Sequence, residues 1–174
     1  MQTHMFIPTS NARSSTWSPS PQRCFKLNFD VAIFHDINAS GLRTLIRNDL
    51  GEVMASLLAR GSLVIDSEEA EVLACCKALE FTVDSSFLEL IVEGDNITVM
   101  KSISCPRPNQ SRLGHLYTQC IAFALYFVFI NCVRHATNSV AHSLARYARS
   151  IDEKIVWLED SPPPTLEALY FDSC

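Results

Sequence analysis

The chain predicts a mixed α/β domain, a five-stranded sheet flanked by helices, with elements in the order β-β-β-α-β-α-α-β-α. Three observations carry this. Stretches with a two-residue apolar period come first and are joined by turn residues. Later strand-like stretches are separated by stretches of helical period. The chain has 174 residues, 48% of them hydrophobic and 19% charged, enough for one well-buried domain and short for two.

Thr9 to Pro21 is rich in Ser and Pro and reads as a disordered lead-in, so residues 1–22 are expected to be a tail. From Phe25 to Ile33 every second residue is apolar, the mark of a strand with one buried face; Lys26, Asn28 and Asp30 fall on the other side. Leu42 to Arg47 and Glu52 to Arg60 are two more strands around the turn Asn48-Asp49-Leu50-Gly51, although Ala55 and the leucines after it also suit a helix. Asp66 as N-cap with Glu69 three residues on forms a capping box for a helix running to about Asp84. Phe87 to Glu93 is a strand, Asn96 to Ser104 a short helix ended by Cys105-Pro106, and Ser111 to about Ala124 a further helix. Tyr126 to Arg134 is rich in aromatic and β-branched residues and reads as the fifth strand. Asn138 is a candidate N-cap for a last helix through Arg149. The domain is thus expected over 23–150, with 151–174 as an acidic, Pro-containing tail.

Seven scattered cysteines, odd in number and without a CxxC pair, are expected to be thiols in a reducing compartment rather than a zinc site or disulfide frame. The first 22 residues lack the apolar core of a secretory leader, and the longest apolar run, Ile121 to Ile130, is too short to cross a bilayer. Nucleus or cytoplasm, no membrane and a monomer are the expectations. A formal net charge of −5 argues against a generally basic binder of nucleic acid, but the charge is divided. From Asn96 through Ile151 there is no Asp or Glu, while Lys101, Arg107, Arg112, Arg134, Arg146 and Arg149 supply six cations. Those cations either form a backbone-binding patch or solvate separate faces.

Three acids stand where a fold could aim them at one point. Asp30 lies within a strand, Glu71 opens a helix and Asp95 closes a strand. Such a trio can hold hard divalent cations, which take oxygen ligands, against a phosphodiester. A metal-dependent nuclease is the reading this favours. Each acid also has a plainer reading. Asp30 could face solvent, Glu71 competes with Glu68 and Glu69 as a first-turn helix acid, and Asp95 could be a turn residue or an N-cap. Clustered carboxylates repel, so without metal at least one should titrate high.

The motifs KLNFD (Lys26 to Asp30), IRNDLGEVMAS (Ile46 to Ser56), EAEVLACCKALEF (Glu69 to Phe81), LIVEGDN (Leu90 to Asn96) and VRHATNSVAHSLARYA (Val133 to Ala148) resemble, in that order, plant ribonuclease H-like domains related to the tail of non-LTR retrotransposon reverse transcriptases. The resemblance implies a ribonuclease H fold and hydrolysis of the RNA strand of an RNA–DNA hybrid with two Mg²⁺ ions, Mn²⁺ being the alternative. It maps metal ligands onto Asp30, Glu71 and Asp95; the division of charge, not the resemblance, makes Arg107, Arg112, Arg134 and Arg146 the candidate nucleic-acid contacts. The fourth catalytic position, usually Asp in an N-x-x-A-D-x-L-A pattern, is His142 here, which brings no negative charge and suits softer ions. His135 could mimic a histidine that some ribonucleases H use in proton transfer. Val31 and Ala32 follow Asp30 where active enzymes commonly have Gly, and Arg43 stands in a usually Gly-rich strand. These departures bear on turnover, not on fold. They leave a hybrid endonuclease, a non-catalytic module binding nucleic acid or a protein partner, and a decayed retroelement fragment as the readings to separate.

Overall fold

The computed structural model describes residues 5–8, 18–104, 110–124, 129–133, 147–152 and 154–158. Its centre is an antiparallel meander of β2 (Phe25–Phe34), β3 (Ala39–Arg47) and β4 (Val53–Ser62). Helix α1 (Ser67–Asp84) follows, then β5 (Leu90–Gly94), α2 (Ile97–Ser104), α3 (Gly114–Ala124) and β6 (Phe129–Cys132). β5 pairs parallel with β2, and β6 parallel with β5, so the sheet is mixed. These are the five strands the sequence predicts, in the predicted order.

Two more strands widen the sheet. β1 (Met5–Pro8) pairs parallel with β6, and β7 (Ile155–Leu158) pairs antiparallel with β4, giving the order β1-β6-β5-β2-β3-β4-β7. Both come from segments expected to be tails. Four-residue edge strands carry too little periodicity to stand out, and it is the open edges of β6 and β4 that pair them.

Local chemistry explains the boundaries. Asn48 Oδ1 accepts from the Leu50 and Glu52 amides at 3.0 and 2.9 Å, and Gly51 takes φ 83°, so the β3–β4 turn closes where turn residues were read. Ala55 and its leucines form strand, because pairing on both sides with β3 and β7 overrides their helical preference. Asp66 Oδ1 accepts from the Glu69 amide at 2.8 Å; Glu69 Oε2 in turn accepts from the Ile65 amide at 2.7 Å, one residue earlier than a standard capping box. Asn96 caps α2 by accepting from the Thr98 and Val99 amides. The junction at 125–128 and residues 134–146, which include most of the predicted last helix from Asn138 to Arg149, lie outside the described residues.

One face of the sheet, with Leu27, Phe29, Ile46, Leu57, Leu90, Val92 and Ile130, packs on α1, α2 and α3. On the other face Leu45, Val53 and Leu58 meet Ala148, Ile151 and half-buried Trp157. Cys76 on α1 and Cys120 on α3 are joined as a disulfide inside the first core, where the sequence suggested thiols; Cys75 is a buried free thiol. Spacing along the chain gave no sign of that pairing, which arises because α1 and α3 pack side by side. No described helix is long and apolar enough to cross a membrane.

Candidate metal centre

β2 has two buried faces, not one. Lys26, Asn28 and Asp30, expected on a solvated side, are all buried. Charge pairing makes this tolerable. Lys26 Nζ lies 2.9 Å from Glu93 Oε1 and donates to the Ser18 carbonyl at 2.7 Å, while Asn28 Nδ2 donates to Glu93 Oε2 at 3.0 Å. Arg47 Nη2 reaches Asn28 Oδ1 at 3.5 Å. A polar layer therefore runs across β5, β2 and β3 next to Asp30 and Asp95.

Register brings two of those acids level. β2 and β5 run parallel with Asn28 opposite Glu93, so two residues further on Asp30 and Asp95 stand side by side. Gly94 lets the chain reach that point. A Cβ there would lie 2.7 Å from the Phe29 ring and 2.8 Å from Met100 Sδ, so β5 can press against the core only with glycine at its end. Asn96, not Asp95, takes the helix cap.

Glu71 comes from the second turn of α1, whose neighbours Ala70 and Val72 are buried. Oxygens of Asp30, Glu71 and Asp95 all lie within 4.8 Å of one another. Asp30 is 2% exposed, the other two half-buried, and Asp30 Oδ1 accepts from the Val31 amide at 2.8 Å. Burial, then the charges of Asp95 and Asp30, push the Glu71 carboxyl up to about 8. Its Oε2 is buried and makes no hydrogen bond. Three convergent carboxylates with an orphaned oxygen and mutual repulsion fit a hard divalent cation held by oxygen ligands.

Sequence reasoning noticed Arg43 only as an unusual residue. It sits directly opposite Asp30 on β3, is 0% exposed, and none of its three guanidinium nitrogens makes a hydrogen bond. Burial pushes its ordinary value well down, and the Asp30 charge opposes that push. The predicted nucleic-acid cations are placed less completely. Arg107, Arg134 and Arg146, together with His135 and His142, lie outside the described residues. Arg112 is exposed, but its Nη2 lies 2.8 Å from Asp66 Oδ2 and its Nη1 3.2 Å from Glu69 Oε1, tying the approach to α3 to the start of α1. Arg149 likewise grips Asp36, with Nη1 donating to Oδ1 at 3.0 Å, and lies over the Phe34 ring. Two cations of the acid-free stretch thus close on acids of the stretch before it.

Residues 28–148 match the reverse transcriptase-like family. The chain belongs to that family. Among curated proteins no sequence matches it. Its fold is that of ribonuclease H. It is similar to ribonuclease H1 of the halophilic archaeon Halobacterium salinarum, with a TM-score of 0.62 and 22% identity over 72% of this chain and 96% of that one. It is similar also to the N-terminal ribonuclease H domain of rv2228c from Mycobacterium tuberculosis, with a TM-score of 0.60 and 19% identity over 86% and 98% of the two chains. A third similar structure is LC11 ribonuclease H1, from a compost metagenome, in complex with an RNA/DNA hybrid; there the TM-score is 0.59 and the identity 15%, over 71% and 94%. In this reverse transcriptase-like chain the matched span contains all three converging acids and Arg43.

Proposed function

We propose that this chain binds RNA–DNA hybrid and hydrolyses the RNA strand in the presence of divalent metal, Mg²⁺ in the first instance and Mn²⁺ as the alternative. The observation that carries the reading is the meeting of Asp30, Glu71 and Asp95, from two strands and a helix, within 4.8 Å. Asp30, fixed in the middle of a buried strand, would be the rigid ligand. Asp95 would hold the ion from the strand end, and Glu71, once it gives up its proton, would complete the set. Divalent ions bound there supply stabilisation of negative charge on the attacking and leaving oxygens of the phosphodiester. Arg107, Arg134 and Arg146 would neutralise substrate phosphates along the cation-rich stretch, and Arg112 would do so only while still engaged by Asp66 and Glu69. The motifs favour a plant, retrotransposon-related member; a monomer in nucleus or cytoplasm is the accompanying expectation.

A second reading has its own support. His142 in the fourth acidic position and the buried charge of Arg43 beside Asp30 both weaken the claim on metal, and favour a module that binds hybrid without cutting it. Labelled hybrid incubated with Mg²⁺ or Mn²⁺ separates the two. Cleavage by the parent, lost in Asp30→Asn and Asp95→Asn, supports the enzyme. Retained binding with no cleavage by any of the three supports the module, and activity gained by His142→Asp would identify the missing ligand.

A further inference from the structure

We infer that Arg43 is a resident cation beside the carboxylate cluster, one that competes with a divalent ion for the negative charge of Asp30. The inference rests on the metal-centre reading above. It starts from an anomaly, since a guanidinium is seldom placed where all its donors go unused. Arg43 is 0% exposed, none of its guanidinium nitrogens is bonded, and it faces Asp30 directly across the β2–β3 ladder. Side chains so opposed on one face of an antiparallel pair have Cβ atoms about 5 Å apart. The guanidinium keeps its proton at neutral pH because it starts far above that range. A full positive charge therefore stands behind Asp30, on a sheet face that also buries Lys26 and Arg47.

The consequence is electrostatic. The guanidinium offsets part of the carboxylate charge that an incoming divalent cation would meet at Asp30. In partly buried surroundings, removing a like charge a few ångströms from the ion strengthens binding by about ten-fold or more. Arg43 thus acts on the ion through the charge of Asp30 and not by touching it.

The test is Mn²⁺ titration of the full chain by calorimetry and by the electron paramagnetic resonance signal of free Mn²⁺. Arg43→Met, which keeps length and loses charge, should bind Mn²⁺ about ten-fold more tightly than the parent, and Arg43→Lys should stay within about three-fold of it. Asp30→Asn should weaken binding. If Asp30→Asn weakens binding while Arg43→Met binds no better than the parent, the Arg43 assignment falls and the metal centre stands. If Asp30→Asn changes nothing, the metal centre falls and this inference with it. A second measurement covers the case in which Arg43→Met does not fold. In chelator, Asp95→Asn should raise the melting temperature by relieving repulsion, whereas Asp30→Asn should lower it by stranding the buried guanidinium. A rise in both overturns the assignment.

Discussion

Replacing Glu71 by Gln tests whether the three acids share one electrostatic site. In the fold this carboxyl is pushed from an ordinary 4.5 up to about 8, first by burial and then by Asp95 and Asp30. Between those two values the folded state holds a proton that the unfolded chain has released. The Glu71 contribution to metal-free stability is therefore fully present below about 4.5 and is lost as pH rises through the window to about 8. At about 1.4 kcal/mol per tenfold, the whole displacement amounts to about 4–5 kcal/mol. Water reaching a half-buried side chain lowers the effect, so about 2–3 kcal/mol is expected. Glu71→Gln is neutral at every pH. In urea unfolding with chelator it should match the parent within about 0.5 kcal/mol near pH 5 and exceed it by about 2–3 kcal/mol at pH 8.5. Excess Mg²⁺ should remove the parent's deficit at pH 8.5 and leave the variant unchanged, because only the folded parent has the complete ligand set. Parallel pH profiles for the two proteins would refute the reasoning, since every other titrating group is common to both.

Gly94→Ala should cost about 1–3 kcal/mol by forcing a Cβ against Phe29 and Met100, and should weaken Mn²⁺ binding several-fold by displacing Asp95; unfolding and metal titration of the same sample check both. Lys26→Met should cost about 3 kcal/mol in urea, because Glu93 then keeps a buried charge with only Asn28 beside it, and adding Glu93→Leu should recover part of that loss. The Cys76–Cys120 link spans 44 residues, so reduction should lower stability by up to about 4 kcal/mol, read as a fall in urea midpoint with dithiothreitol and confirmed by peptide mapping of the oxidised protein.

The central fold was legible because its strands and helices repeat with different periods and its turns carry their own chemistry. Phe25 to Ile33 alternates, Asn48 to Gly51 closes a hairpin through the Asn48 side chain, and Asp66 starts α1 where a cap was read. The edge strands were not legible, since Met5–Pro8 and Ile155–Leu158 are too short to show a period and are specified by the neighbours they pair with. Nor was the Cys76–Cys120 pairing, a matter of how two helices pack rather than of spacing.

The candidate site divides in the same way, and the division has a physical reason. Asp30, Glu71 and Asp95 could be named from sequence because the motifs around them resemble a known family, where position in a strand or helix alone left each a plainer reading. What surrounds them could not. Alternation gave β2 one apolar and one polar side, and polar was read as wet; yet Lys26, Asn28 and Asp30 are buried, with Lys26 and Asn28 meeting Glu93 some 65 residues on, Asn28 meeting Arg47 across the hairpin, and Arg43 facing Asp30 without a bond. A buried ion pair looks, in one dimension, like two solvated charges. This matters for function because the field at Asp30 is set from behind as well as from Glu71 and Asp95. An acidic trio facing only water would be ready for any hard cation, but one backed by an unbonded guanidinium has already spent part of its charge. On the proposed function, whether the chain would cut hybrid or only hold it turns on Arg43 as well as on His142, and the double change Arg43→Met with His142→Asp should give more metal affinity than either alone.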